Sequence, residues 1–169
     1  MPVLNPNHLL DQADRLVTTH GGARRQADLR RAISTAYYAV FHAIVIEAAD
    51  DFVGATQRQT GRYALVYRSI DHRSLRTLCE DIRKPTLPAK YSKYRPPTGE
   101  FGHDLTAVAA AVADLQEKRH LADYDPSFRV VPSEAVSAIA TGRTAIARFR
   151  RANRTQRGAF ISLLVFSPR

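Results

Sequence analysis

A chain of 169 residues, 44% of them hydrophobic, is long enough to bury one core without covalent staples, and we read residues 1–169 as a single domain. The lone Cys79 has no partner for an internal disulfide, the N-terminal residues show no secretory pattern, and no apolar run nears the length of a bilayer span, the longest being 159–166; a soluble cytoplasmic protein with no membrane partner is expected. A formal charge of +9 points to a polyanionic partner or to solubility alone.

In chain order, Asn5 or Asn7 is the candidate N-cap of a first helix that places Leu9, Leu10, Ala13, Leu16 and Val17 at helical spacing and ends at Gly21 and Gly22. The stretch 24–50 follows, with Leu29, Ile33, Ala36, Tyr37, Val40, Phe41, Ile44, Val45 and Ala48 recurring every three or four residues and no Pro or Gly between them. This predicts a central helix of about seven turns that buries one wide face. Beside that face runs a polar seam of Arg31, Ser34, Tyr38 and His42, stacked one above another by their spacing. Tyr38 and His42 fit two readings, amphipathic residues satisfied at the edge of a core or the lining of a pocket or subunit interface. Arg24, Arg25, Arg30 and Arg31 oppose the helix dipole, which suits either a solvated basic face or a functional one.

From about residue 57 to 83 the helical pattern resumes, with a slip of register near Asp71, where Asp71 or Ser74 is placed to cap a new helix. Cys79 falls on the apolar side of that helix and reads as a small core residue. Residues 84–100 contain four prolines and interleave Tyr91 and Tyr94 with Lys90, Lys93 and Arg95. This predicts an extended or mobile basic loop, either a plain connector or a surface for phosphates and stacked bases. Leu105, Val108, Val112, Leu115 and Leu121 restore helical spacing until Pro126 stops it at or just before Asp125. The final turn and a half gathers Arg119, His120, Asp123 and Tyr124. A last helix, capped by Ser133 and built on Val136, Ile139, Ala140, Ile146 and Phe149, ends in six arginines with no acid over 143–157. That concentration predicts a polarised positive field and a salt-sensitive footprint for a polyanion. The closing apolar run 160–166 is expected to dock on the core or on a second subunit as a helical turn or short strand.

No repeat, metal-ligand spacing or Gly-rich phosphate loop is present, so neither a metal nor a cofactor is expected. The run RAISTAYYAVFHA, from Arg31 through Tyr37, Tyr38, Phe41 and His42 to Ala43, resembles the second-helix signature of one uncharacterised bacterial branch of the HEPN superfamily, the nucleotide-binding domain of higher eukaryotes and prokaryotes. The run LQEKRHLADY, which carries Arg119, Asp123 and Tyr124, resembles that branch's later Arg-to-Asp-Tyr segment.

The resemblance implies an all-α, up-and-down bundle of four to five helices with a short apolar C-terminal segment, commonly a homodimer, with functional groups facing a cleft between helices or protomers. Many members are metal-independent endoribonucleases of toxin or defence type. Their motif is an Arg followed four to six intervening residues later by a His. Arg119 matches the arginine, but Tyr124, Asp125 and Pro126 stand where the histidine would fall. RNA self-cleavage needs a base for the 2′-hydroxyl proton, and an imidazole with pKa about 6.5 serves near neutrality where a phenol at about 10 does not. The sequence offers His120 or His42 as the base, with Tyr124 beside them as a further catalytic candidate. Arg119 and Arg31 would hold phosphate, and Tyr38 and Asp123 would complete a nucleotide-binding cleft. The competing expectation is a non-catalytic module that binds RNA or a nucleotide or that dimerises, or one subunit of a toxin and antitoxin pair whose antitoxin covers residues 160–166.

Overall fold

The computed structural model describes residues 4–18, 25–166 and 168. Its centre is α2 (Gln26–Val53), 28 residues that run without a break until Gly54, whose φ of +100° is open to glycine at little cost and turns the chain away. The sequence suggests one buried face. Instead α2 is enclosed on nearly every side, and Ala32, Ala39, Ala43 and Ala49 are buried together with the nine expected apolar positions. Each large side chain among them contributes roughly 1.5–3 kcal/mol of burial free energy. The small ones let neighbouring helices approach closely.

Those neighbours are α1 (Pro6–Val17), α5 (Gly102–Tyr124) and α6 (Pro132–Arg151). In α1 the Asn5 side chain accepts from the Asn7 amide at 3.0 Å, Pro6 takes the first helical position, and Leu10, Ala13 and Val17 pack inward. The expected end at Gly21 and Gly22, and Arg24, lie outside the described residues. α6 crosses α2 closely at Gly142, where a Cβ would sit 3.3 Å from the Ala36 carbonyl oxygen. The helix starts one residue before Ser133, with Pro132 at its first position and Glu134 accepting the Val131 amide at 2.9 Å.

The break near Asp71 separates α3 (Gly61–Ser69) from α4 (His72–Ile82), and Asp71 Oδ1 accepts from the Ser74 amide at 2.7 Å. α3 leans on α2 through buried Tyr63, whose hydroxyl donates to Asp50 Oδ1 at 3.0 Å. Residues 84–100 are less free than their composition suggests. They contain a 3-10 turn, Ala89–Tyr94, and Tyr91 is buried with its hydroxyl on Asp81 Oδ2 at 3.0 Å, while Lys84 and Lys90 pair with the same carboxylate.

The apolar run near the C-terminus belongs to α7 (Arg154–Val165), which buries Phe160, Ile161, Leu163 and Leu164 against α2, α4 and α5. The described residues thus form seven α-helices and two 3-10 turns, with no strand, which exceeds the expected four to five helices. A second correction concerns length. With a mean hydropathy of 1.4, α2 is long and apolar enough to cross a bilayer, but 83% of the qualifying window is buried within the fold.

Candidate functional site

Adjacent tyrosines on α2 organise the candidate site because successive helical residues point about 100° apart. Tyr37 enters the core and Tyr38 faces its edge. The Tyr38 hydroxyl accepts from Arg119 Nη2 at 2.8 Å. Arg119 Nε forms an ion pair with Asp123 Oδ2 at 2.9 Å, one turn later on α5, and Asp123 Oδ1 accepts from buried Ser34 at 2.5 Å. The guanidinium carbon lies 5.9, 5.3 and 5.6 Å from the ring centroids of Tyr37, Tyr38 and Tyr124, so aromatic faces surround a largely desolvated cation.

On the other side of the tyrosine pair stands His72, the first residue of α4. Its Nδ1 is 2.9 Å from the Tyr37 hydroxyl, and its ring is 5.4, 5.7 and 4.0 Å from those of Tyr37, Tyr38 and Phe41. Burial, and then the charge of Arg119, push the His72 pKa below its ordinary value, with Asp71 opposing them. His72 is therefore neutral at pH 7. Burial holds the Tyr37 hydroxyl far above the usual phenol range, so it stays protonated and does not take the proton itself. Gln116, one turn before Arg119, donates to the His72 carbonyl oxygen at 3.2 Å and ties α5 to the start of α4.

Of the residues singled out from sequence, Ser34, Tyr38, Arg119 and Asp123 meet in one network. His42 stacks 6.4 Å from Tyr38 but directs Nδ1 to the Tyr67 hydroxyl at 2.6 Å, and burial followed by neighbouring His72 lowers its pKa. His120 is exposed and takes no part in the enclosed cluster's hydrogen bonds, its ring 5.1 Å from Tyr124, which is 64% exposed and meets the cluster only through its ring beside Arg119. Arg31 also departs from expectation, being exposed with no hydrogen bond or ion pair to any described residue. Its neighbour Arg30 turns inward instead, donating from Nε to the Ala122 carbonyl oxygen and from Nη2 to that of Asp125, both at 2.7 Å.

Sequence reasoning missed His72, Tyr37 as a polar partner, Tyr67 and Arg30. For two of them the signal was present. His72 precedes Leu75, Cys79 and Ile82 by three, seven and ten residues, which puts it on the core side of α4, and Arg30 precedes Ile33 and Tyr37 by three and seven.

The arginines of 143–157 read differently in three dimensions. Arg143 pairs with Asp14, Arg150 with Glu47 at 3.4 Å, and Arg151 and Arg148 with Asp104 at 2.8 and 3.8 Å. Arg157 donates to the Arg150 carbonyl oxygen at 2.7 Å. Carboxylates from α1, α2 and α5 thus neutralise most of a field that looked unopposed along the chain. Among the described residues, no group of three or more His, Cys, Asp or Glu side chains is disposed to hold a metal ion. Comparison with protein-family models, curated proteins and solved structures finds no match to this chain.

Proposed function

We propose that this chain is a HEPN-like RNA-handling protein, an elaborated up-and-down bundle, and that Arg119 and His72 form a metal-independent endoribonuclease site. The observation that carries the reading is that Arg119 and His72 flank the same two tyrosine rings, one a fixed cation and the other a neutral imidazole. α4 then supplies the histidine that the Arg119 segment lacks. In the tautomer that carries its proton on Nδ1, directed at the Tyr37 oxygen, His72 takes the 2′-hydroxyl proton through Nε2. The new O2′–P bond forms as the P–O5′ bond breaks, and O5′ leaves with a proton from solvent, giving a 2′,3′-cyclic phosphate and a 5′-hydroxyl. Arg119 opposes the charge that builds on the phosphorane oxygens.

The test is cleavage of single-stranded and structured RNA in EDTA by the parent, Arg119→Ala and His72→Gln. Each substitution is expected to slow cutting by roughly 10²- to 10³-fold. RNA left intact by the parent, or cut equally fast by both variants, refutes the nuclease reading. A second reading has its own support: Arg119 is already held by an ion pair with Asp123 and a hydrogen bond to Tyr38, as in a strut. The cluster then binds RNA or a nucleotide without cutting it, and RNA binds but stays whole. In either form the reading includes a homodimer, which a light-scattering mass equal to the monomer would exclude. An antitoxin partner loses one argument, since residues 160, 161, 163 and 164 are already covered by this chain.

A further inference from the structure

His42 belongs to two neighbourhoods. On one side it stacks against Tyr38 of the Arg119 cluster, and on the other it forms part of the wall of a cleft of about 460 Å³ between α2, α3, the loop 58–60 and Leu4. His42 and Tyr67 are hydrogen-bonded and lie 6.0 Å apart at 15°, giving the cleft a flat aromatic wall of two half-buried rings. Arg58, Gln59 and Arg68 are exposed at the same cleft. Asp50 holds Arg58 at 2.5 Å, while Arg68 has no ion pair among the described residues.

The surplus charge of the protein is concentrated in the segment that begins at this cleft, with Arg58 and Arg68 in the cleft wall itself. Residues 58–95 contain ten Lys and Arg against three Asp and Glu, most of the net +9. Arg62, Arg68, Arg73, Arg83, Lys93 and Arg95 in this stretch form no ion pair among the described residues, in contrast to the paired arginines of α6. The cleft has the size of a small-ligand site and is too small for a duplex. Its flat wall offers the face that an unpaired base stacks on, and the exposed, unpaired Arg68 in its lining suits the phosphate beside that base.

We propose that this cleft receives one unpaired nucleotide of single-stranded RNA, with the His42 and Tyr67 rings against the base and Arg68 toward its phosphate. The proposal rests on the RNA reading above but not on cleavage, and its test separates the two. A 5′-mononucleotide has no phosphodiester for a 2′-oxygen to attack, so titration of the full chain with AMP and UMP, followed by calorimetry, reads binding apart from cleavage, and substitutions at the cleft assign that binding to it rather than to the Arg119 cluster. Saturable binding is expected, weakened tenfold or more by Ala64→Phe, which fills the cleft from a lining position, and by Arg68→Glu, which reverses the exposed charge. Single-stranded RNA should displace the mononucleotide, and a duplex of equal length should do so at least tenfold less well. No saturable binding, binding unchanged by Arg68→Glu, or equal displacement by duplex overturns the proposal. Arg68→Glu decides the matter if Ala64→Phe does not fold, because Arg68 is exposed. Binding without RNA cutting leaves the cleft standing and removes the nuclease, whereas cutting without mononucleotide binding does the reverse.

Discussion

Arg30 and Arg31 make the sharpest test of how this fold holds its candidate site, because they are neighbours of identical chemistry in opposite environments. Arg30 is half-buried and fastens the C-terminal end of α5 to α2 through two 2.7 Å bonds, to the Ala122 and Asp125 carbonyl oxygens, with Phe128 O at 3.5 Å from Nη1. Ala122 lies in the last turn of α5 and Asp125 is its C-cap, so the guanidinium satisfies a carbonyl at the helix end and opposes the negative end of the helix dipole. Arg30→Met keeps the aliphatic stem and removes only the head group. A hydrogen bond from a charged donor is worth ~1.5–3 kcal/mol, but half-buried carbonyls regain some water, so the pair together should cost about 2–4 kcal/mol. Arg31→Met, at an exposed site without partners, should change stability by less than about 0.5 kcal/mol. Urea denaturation measures both, and hydrogen exchange should show the amides of residues 119–125 opening faster in Arg30→Met alone. Equal costs for the two substitutions, or an Arg30→Met variant as stable as the parent, would refute the argument that this single side chain anchors the Arg119 turn.

Two other expectations follow from packing and protonation. Gly142→Val places a branched side chain where even a Cβ meets the Ala36 carbonyl oxygen at 3.3 Å, and overpacking of roughly 1–3 kcal/mol should exceed the gain in helix propensity; a urea midpoint at or above that of the parent contradicts it. His42 and His72 both have folded pKa values below the ordinary value, so below about pH 6.5 the unfolded chain binds more protons than the folded one. Their contribution is therefore intact above that pH and lost as the pH falls toward their folded pKa values. Melting temperature should drop from pH 7 to 5 more steeply in the parent than in a His42→Gln, His72→Gln double variant, and parallel curves would show the wrong sign or the wrong residues.

The legible part of this protein was periodicity. Asp71, Pro126, Asn5 and the apolar positions of α2 each announce a local event, such as a cap, a stop or a buried face, and the chain realises these where the pattern puts them. The number of helices was less legible. Residues 160–166 show apolarity without a cap, and the cap that starts α7 is Asn153, inside the arginine-rich stretch, where its side chain accepts from the amides of Thr155 and Gln156. The enclosure of α2 was hidden for a related reason: alanine is counted as a helix former in a sequence, yet here it is the contact surface that admits α1, α5 and α6.

Electrostatics was the least legible feature, since the partner of a charge is set by tertiary structure. Six arginines in a row of fifteen residues look like one positive field, but Asp14, Glu47 and Asp104 arrive from three other helices and close most of it. Residues 58–95 look less concentrated because their cations are spread over three elements, yet among the described residues only Asp50, Glu80 and Asp81 answer them with ion pairs. The same reasoning applies to Arg119. On the chain it stands four residues from Asp123 and lacks a histidine, while in the fold an imidazole from 47 positions earlier, that of His72, reaches the same tyrosine pair, because α4 packs on α5 and begins beside Tyr37. A motif defined by spacing along one helix tests only whether one helix carries both groups. The proposed chemistry needs a base and a cation bordering one phosphate, and two helices meeting at a tyrosine pair can bring two such groups together as well as one helix can.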